Sequence, residues 1–211
     1  MKKMNKSSLY LIIALILTVV SLFEIGIIAY YLKGQYLTGR IVQDNATLNV
    51  TVSENVVINF TTRNINWGSG YVQTDQGKTY AVLDTAAGSV VNGTWTPVSQ
   101  GFVLQNIGNV NATINIATLR NAADMIGGTS PIYKFNVTNS NPSQPACLNA
   151  TSFALGTYYD VNKTGIGTRV CDKFNYISGY NSIRIDIRIG IPYDSYKGAL
   201  NDTIMANAAA A

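Results

Sequence analysis

The chain has 211 residues, 47% hydrophobic and only 12% charged, with a formal net charge of +4 and no histidine. With two cysteines and no imidazole, a Ser-His-Asp or Cys-His catalytic system cannot be assembled, and zinc sites built on His or four Cys are excluded. Glutamate occurs only at Glu24 and Glu54, so acid–base chemistry would fall to scattered aspartates in turn-like contexts; no catalytic residue, metal site or cofactor is expected. Lys2, Lys3, Lys6 and Glu24 carry a net +2 of the charge, which leaves the rest of the chain at +2. No basic cluster interleaved with aromatics is present, and nucleic acid is not an expected partner.

Residues 1–7 form a short basic segment, and residues 8–32 an almost unbroken apolar run. At about 1.5 Å per residue the run makes a helix of roughly 36 Å, long enough to cross a hydrocarbon core with some tilt. Positive charge ahead of a first span keeps the N-terminus in the cytoplasm and sends the residues beyond the span outside. A secretory signal has a shorter apolar core and a small-x-small cleavage site. Here the run passes instead through Tyr30 and Tyr31, a pair suited to the outer lipid interface, so the expectation is an anchor in membrane lipid, with a cleaved signal or pilin-type leader as the alternative. Glu24 lies in the outer half of this run, where an acidic group is expensive. It reads either as a polar contact between helices of neighbouring subunits or as a side chain that is protonated or reaches the interface.

Residues 33–44 read as a connector, and residues 45–211 as one extracellular domain. Period-2 alternation dominates there. Expected strands are Leu48–Val52, Val56–Phe60, Tyr80–Leu83, Gly101–Gln105, Ala112–Ala117, Tyr133–Val137, Phe153–Tyr158, Val170–Tyr176 and Ile183–Ile191. In the last, isoleucine recurs at every second position with Arg184, Asp186, Arg188 and Gly190 between, which predicts one core face and one wet face. The predicted fold is mainly β: an N-terminal transmembrane or filament-core helix followed by one antiparallel β-sandwich. The terminal run from Ala206 to Ala211 suggests a tail without a packing role.

Cys147 and Cys171 lie beyond the apolar run, and an exported pair of this kind reads as one disulfide; two reduced, buried cysteines are the alternative. Nine N-x-T triplets begin at Asn45, Asn49, Asn59, Asn92, Asn111, Asn136, Asn149, Asn162 and Asn201, against about 3 to 4 from random placement. They are candidate N-glycosylation acceptors. The competing reading is a solvent-facing strand surface, on which positions i and i+2 share a face; both readings put the residues in water. Asp160, Asn162 and Thr164 space oxygen atoms like the start of a calcium loop, but the twelfth position is Cys171 and a turn is the better reading. Trp67, in a probable Asn- and Gly-rich loop, is the best candidate for stacking on a glycan, with Tyr71 nearby; Trp95 reads as core.

The stretch from Trp95 through Pro97 into Phe102 and Leu104, the Asn106-Ile-Gly-Asn109 turn, and the return through Ala112, Ile114 and Ile116 reads as a hairpin. It resembles that of TasA/camelysin-like surface β-sandwiches and related archaeal envelope proteins, and Ser182–Asp194 resembles the C-terminal strand of archaeal members. The resemblance implies a structural role: a subunit of an extracellular fibre, pilus or surface coat such as an S-layer. It also implies self-association, in which a strand of one subunit completes the sheet of the next. Gln43–Val52 or Asn201–Asn207 would be that strand, unless each is an ordinary edge strand of its own domain. Pilins and archaellins share the helix-plus-sandwich architecture, but placing Glu24 fifth after a cleavage site would put the cut between Val19 and Val20, inside the apolar run. A surface adhesin or carbohydrate-binding module without polymerisation is the alternative function.

Overall fold

The structure is a computed structural model that describes residues 5–34, 46–163 and 165–211. They fall into two compact units, Met1–Val50 and Thr51–Ala211. Most of the expected connector, and Asn45, lie outside the described residues.

In the first unit, helix α1 (Lys6–Gly34) is 29 residues long, about 42 Å at the standard rise. Its stretch Lys6–Tyr31 has a mean hydropathy of 2.8 with no residue buried. Apolar side chains surround it on all sides, so there is no polar face to leave in water and no stripe with which to dock on a soluble core. The hydroxyls of Thr18 and Ser21 donate back to the carbonyls of Leu15 and Thr18 (2.8 and 2.9 Å), which satisfies them without water. One such helix near the N-terminus is what a membrane anchor or a signal sequence requires.

The second unit is mainly β, with two antiparallel sheets in a sandwich-like arrangement. Its strands are β1 (Ile58–Thr62), β2 (Tyr80–Asp84), β3 (Ser89–Val91), β4 (Phe102–Asn106), β5 (Ala112–Thr118), β6 (Ile132–Asn139), β7 (Tyr159–Asp160), β8 (Thr168–Phe174), β9 (Ser182–Pro192) and β10 (Ile204–Ala210), with a short helix α2 (Ala122–Met125) after β5. The larger sheet is organised by β9. Along one edge β9 pairs with β6, which carries β7. Along the other it pairs first with β4 over Ser182–Ile185 and then with β2 over Arg188–Pro192, and these carry β1 and β3. The sheet therefore forks at Asp186–Ile187. The smaller sheet runs β10-β5-β8.

Alternation in β9 places Ile183, Ile185, Ile187, Ile189 and Ile191 on the inner face, all buried. Their partners on β6 are Val137, Phe135 and Tyr133, opposite Ile185, Ile187 and Ile189. Ile114 and Ile116 of β5 and Val170 and Phe174 of β8 close the core. The other face of β9 is not wet as expected: Asp186 is 3% exposed. A strand with neighbours on both edges lies mid-sheet, and the chain after β2 folds over it. Thr85 Oγ1 donates to Asp186 Oδ1 and accepts from Ile187 N, both at 2.8 Å. Arg184 grips the same carboxylate at 2.7 Å and donates to the Ser99 carbonyl at 2.9 Å. Gly101 is required at this closure, because a Cβ there would lie 2.7 Å from Asp186 Oδ1 and from the Ile185 carbonyl.

Three further expectations are corrected. The stretch from Phe102 to Ile116 is no hairpin, since β4 and β5 belong to different sheets. Asn106 is fully buried and turns the chain across the core by donating to the carbonyls of Val110 (3.0 Å) and Phe174 (3.2 Å). Leu48–Val52 and Phe153–Tyr158 are not strands; in the latter region only Tyr159–Asp160 pairs. The alanine-rich terminus is not a tail: β10 pairs with β5 in register from Ile204↔Thr118 to Ala210↔Ala112.

Candidate functional site

Residues 46–52 keep their period-2 pattern but have no partner strand among the described residues. Leu48, Val50 and Val52 are 88%, 76% and 80% exposed, whereas apolar side chains on one face of an extended segment ordinarily meet a sheet. Among the described residues the smaller sheet has an open edge. There β10 pairs only with β5, and Ile204–Ala210 contains neither a charge nor a proline, the usual protections of a free edge. The opposite edge is covered: around β8, Leu148 N donates to the Lys173 carbonyl (2.9 Å) and Asn175 N to that of Ala146 (2.8 Å).

That cover is tied down by the disulfide between Cys147 and Cys171, as expected, with Cα atoms 5.7 Å apart. Asp172 beside it accepts from the Thr151 amide and hydroxyl, both at 2.7 Å. These two bonds, with Arg169, hold its carboxyl below the ordinary range.

Glu24 is exposed on α1. Among the triplets, Asn49, Asn149, Asn162 and Asn201 are exposed, while Asn59, Asn92 and Asn111 are half-buried. Asn92 sits at φ 57°, a turn conformation that asparagine tolerates. Asn136 departs from the expectation that every triplet lies in water: it is 6% exposed, opposite Asp186 on the covered face of β9.

A cleft of about 1090 Å³ opens over the inner face of the larger sheet. Its floor is Leu83, Phe102 and the isoleucines at the end of β9. One wall is residues 64–74, stitched to the chain after β3 by Thr96 N donating to the Trp67 carbonyl (3.0 Å) and Thr94 N to that of Tyr71 (3.1 Å). Gly70 and Gly93 press on the Trp95 ring, where a Cβ would approach to 2.5 and 2.7 Å, which accounts for the glycines in this stretch. The other wall is residues 193–202, held by Tyr196 N on the Ile126 carbonyl (2.8 Å) and by Thr129 on Asp194 (2.7 Å). Trp95 is half-buried against the core, as expected; Trp67, expected as an exposed platform, is half-buried too and lines the cleft from within.

Behind the lining of the cleft the indole Nε1 of Trp67 is buried with no hydrogen-bond partner among the described residues, and the carboxylate of Asp202 is buried against the Tyr133 hydroxyl. Tyr133 faces the same carboxylate; burial first, and then Asp202, push its hydroxyl well above the ordinary tyrosine value. Sequence reasoning named Trp67 but missed Tyr133 and Asp202. The first looks like any inward strand residue, and the second lies in a triplet that reads as surface.

Outside the cleft, Asp84 is bound by the Tyr158 hydroxyl (2.6 Å) and by Arg188 Nε (2.7 Å), and the Arg188 guanidinium lies 3.9 Å from the centre of the Tyr158 ring. Burial alone would raise the Asp84 carboxyl, but the bonds from Tyr158, Arg188 and the Ala87 amide outweigh it and hold the group below its ordinary value. Among the described residues no group of three His, Cys, Asp or Glu side chains is placed to hold a metal ion.

Neither a family model nor a curated protein matches this sequence.

Proposed function

We propose that this chain is a structural surface protein, held in the membrane by α1 with its β-sandwich outside the cell, and that its copies join into a coat, pilus or fibre by strand addition. The observation that carries the reading is the exposed alternating segment Ala46–Val52. It has the pattern of a strand whose apolar face is buried, yet it pairs with no strand among the described residues. Of the two candidate donors, Asn201–Asn207 leads into and overlaps β10, which is already paired with β5; of Gln43–Val52, residues 46–52 are described and pair with no strand among the described residues. The receiving site is the open edge of β10 in the next copy, where main-chain bonds supply affinity and Leu48, Val50 and Val52 supply register. The disulfide favours an oxidising, extracytoplasmic setting, and the exposed triplets suit a glycosylated outer face. Glu24 of neighbouring helices would meet within the assembly.

The test is recovery of the full chain from the cell surface, with intact mass, N-terminal sequencing and electron microscopy of the same sample. Retention of residues 1–31 together with fibres or arrays that resist cold detergent is the expected result. A monodisperse monomer at every concentration refutes the assembly, and an N-terminus beyond Tyr31 refutes the anchor.

A further inference from the structure

We propose that one end of the sandwich docks on the outer surface of the lipid bilayer through Ile107, Tyr176, Ile177 and Tyr180. This docking rests on the membrane anchor proposed above and not on strand addition. Strands β4, β6 and β8 end here and β9 begins here, so the loops 106–109, 139–146 and 175–181 meet. Asn106 N donates to the Asn181 carbonyl (2.9 Å) and Asn181 Nδ2 to that of Asn106 (2.8 Å), which sets Ile107 beside Tyr180. The third loop joins them through Ser140 N on the Ser182 carbonyl (3.1 Å) and Asn175 N on that of Ala146 (2.8 Å). Tyr176–Tyr180 is an exposed turn, closed by Tyr180 N on the Ile177 carbonyl (2.9 Å). Ile107 and Ile177 are 53% and 54% exposed, and Tyr176 and Tyr180 both 40%. Large apolar side chains gathered on one part of a surface mark a contact.

Four observations choose lipid as the other side of that contact. The three loops carry no Asp, Glu, Lys or Arg, whereas the loops after β5, β7 and β9 at the opposite end carry Arg120, Asp124, Lys163, Asp194 and Lys197, all exposed. One end of the domain thus suits an apolar medium and the other water. Isoleucine and tyrosine among asparagine, serine and glycine combine apolar bodies with polar tips, as residues at the headgroup level do. None of the six asparagines in these loops begins an N-x-T triplet, while Asn162 and Asn201 at the opposite end do; a bulky hydrophilic sugar belongs on the side away from lipid. The chain that comes from α1 also enters the domain here. Asn109 Nδ2 donates to the Ser53 carbonyl (2.9 Å), its Oδ1 accepts from Asn55 N (2.7 Å), and Ile107 N donates to the Val57 carbonyl (2.8 Å). The tether therefore pulls this end, and not the charged one, toward the bilayer. A head held down in this way cannot travel out along a shaft, so the docking selects the coat among the assemblies proposed above.

The test places the full chain, carrying Ile177→Trp, in phosphatidylcholine nanodiscs at one chain per disc, with ordinary or dibrominated acyl chains. Both native tryptophans line the cleft, away from these loops, and the parent chain supplies the baseline. Bromine is expected to remove most of the emission that Ile177→Trp adds, and to do so equally in high salt, since no charge is involved. It should leave the parent unchanged, and likewise Tyr193→Trp, a position 56% exposed among the charged loops. Thermal melts show that each variant is folded; if Ile177→Trp is not, Tyr180→Trp reports from the same turn. Absence of quenching in chains that stay with the disc overturns the docking and leaves the anchor standing, and equal quenching at Tyr193→Trp also overturns the docking. A chain that elutes apart from the discs overturns the anchor, and the docking with it. Shielding of Ile177→Trp from aqueous iodide that appears only with several chains per disc, without bromine quenching, gives the surface to a second copy and overturns the proposal.

Discussion

Replacing Leu48, Val50 and Val52 together by serine separates the stability of the single chain from that of the assembly. The three side chains are 88%, 76% and 80% exposed, so their loss removes almost no buried surface from the monomer, and its unfolding should shift by less than about 0.5 kcal/mol per site. In a strand-addition contact the same side chains pass from water into an interface. Full burial contributes about 1.5 to 3 kcal/mol for each Val or Leu, roughly 5 kcal/mol for the set, which corresponds to a subunit affinity weaker by about three to four decades. Half burial would still leave close to two decades. Sedimentation velocity in nanodisc or micelle form over a concentration series reads the assembly, and urea unfolding of the dilute monomer reads the fold. The reasoning is wrong if the triple variant assembles like the parent. It is equally wrong if the dilute monomer loses several kcal/mol, because the segment would then pack within its own chain.

Replacing Cys147 and Cys171 by serine opens a loop whose ends are 24 residues apart and should lower stability by about 3.5 kcal/mol on the chain-entropy estimate, measured as a shift in the urea midpoint at constant slope. Asn106→Ala removes the amide that donates to Val110 and Phe174 across the core; a cost of about 2 to 4 kcal/mol is expected, because one buried and one part-buried carbonyl lose a partner, and a fall below about 0.5 kcal/mol would refute the bridging role. Asp84 titrates lower in the folded chain than in the unfolded one, so over that interval the unfolded state holds more protons. Its contribution to stability is therefore complete above about pH 4 and is lost as pH falls through the folded value. Asp84→Asn should cost less than the roughly 3–5 kcal/mol of a wholly buried pair, because the Arg188 side chain is 40% exposed. The gap between parent and variant should close in acid, and a gap that widens there would contradict the assignment.

Period and composition carried much of the architecture. An apolar run of this length between lysines reads as a helix of membrane length or a signal. Isoleucine at every second position of β9 can only be a strand with a buried face, because side chains in a strand alternate. The paired cysteines were legible for the same local reason. Pairing was not legible. The turn at Asn106–Asn109 has the residues of a hairpin, yet whether a chain reverses within a sheet or crosses to another depends on what Asn106 meets, and Phe174 is 68 positions away. The alanines of β10 carry no hydrophobic signal, and only the register of β5 gives them a place. Asn136 and Asp186 read as wet because alternation assigns a face without saying what lies over it; Thr85, Arg184 and the loop to Gly101 supply the cover. Trp67 and Asp202 are 135 positions apart and come to line one cleft only where two loops frame it. Local periodicity alone set the long apolar helix and the strands with a clear apolar face, such as β9, since side-chain direction repeats along each element; contacts between residues far apart in the chain decided whether segments such as Leu48–Val52 and β10 pair, and which polar groups are buried, since a strand forms only where it finds a partner.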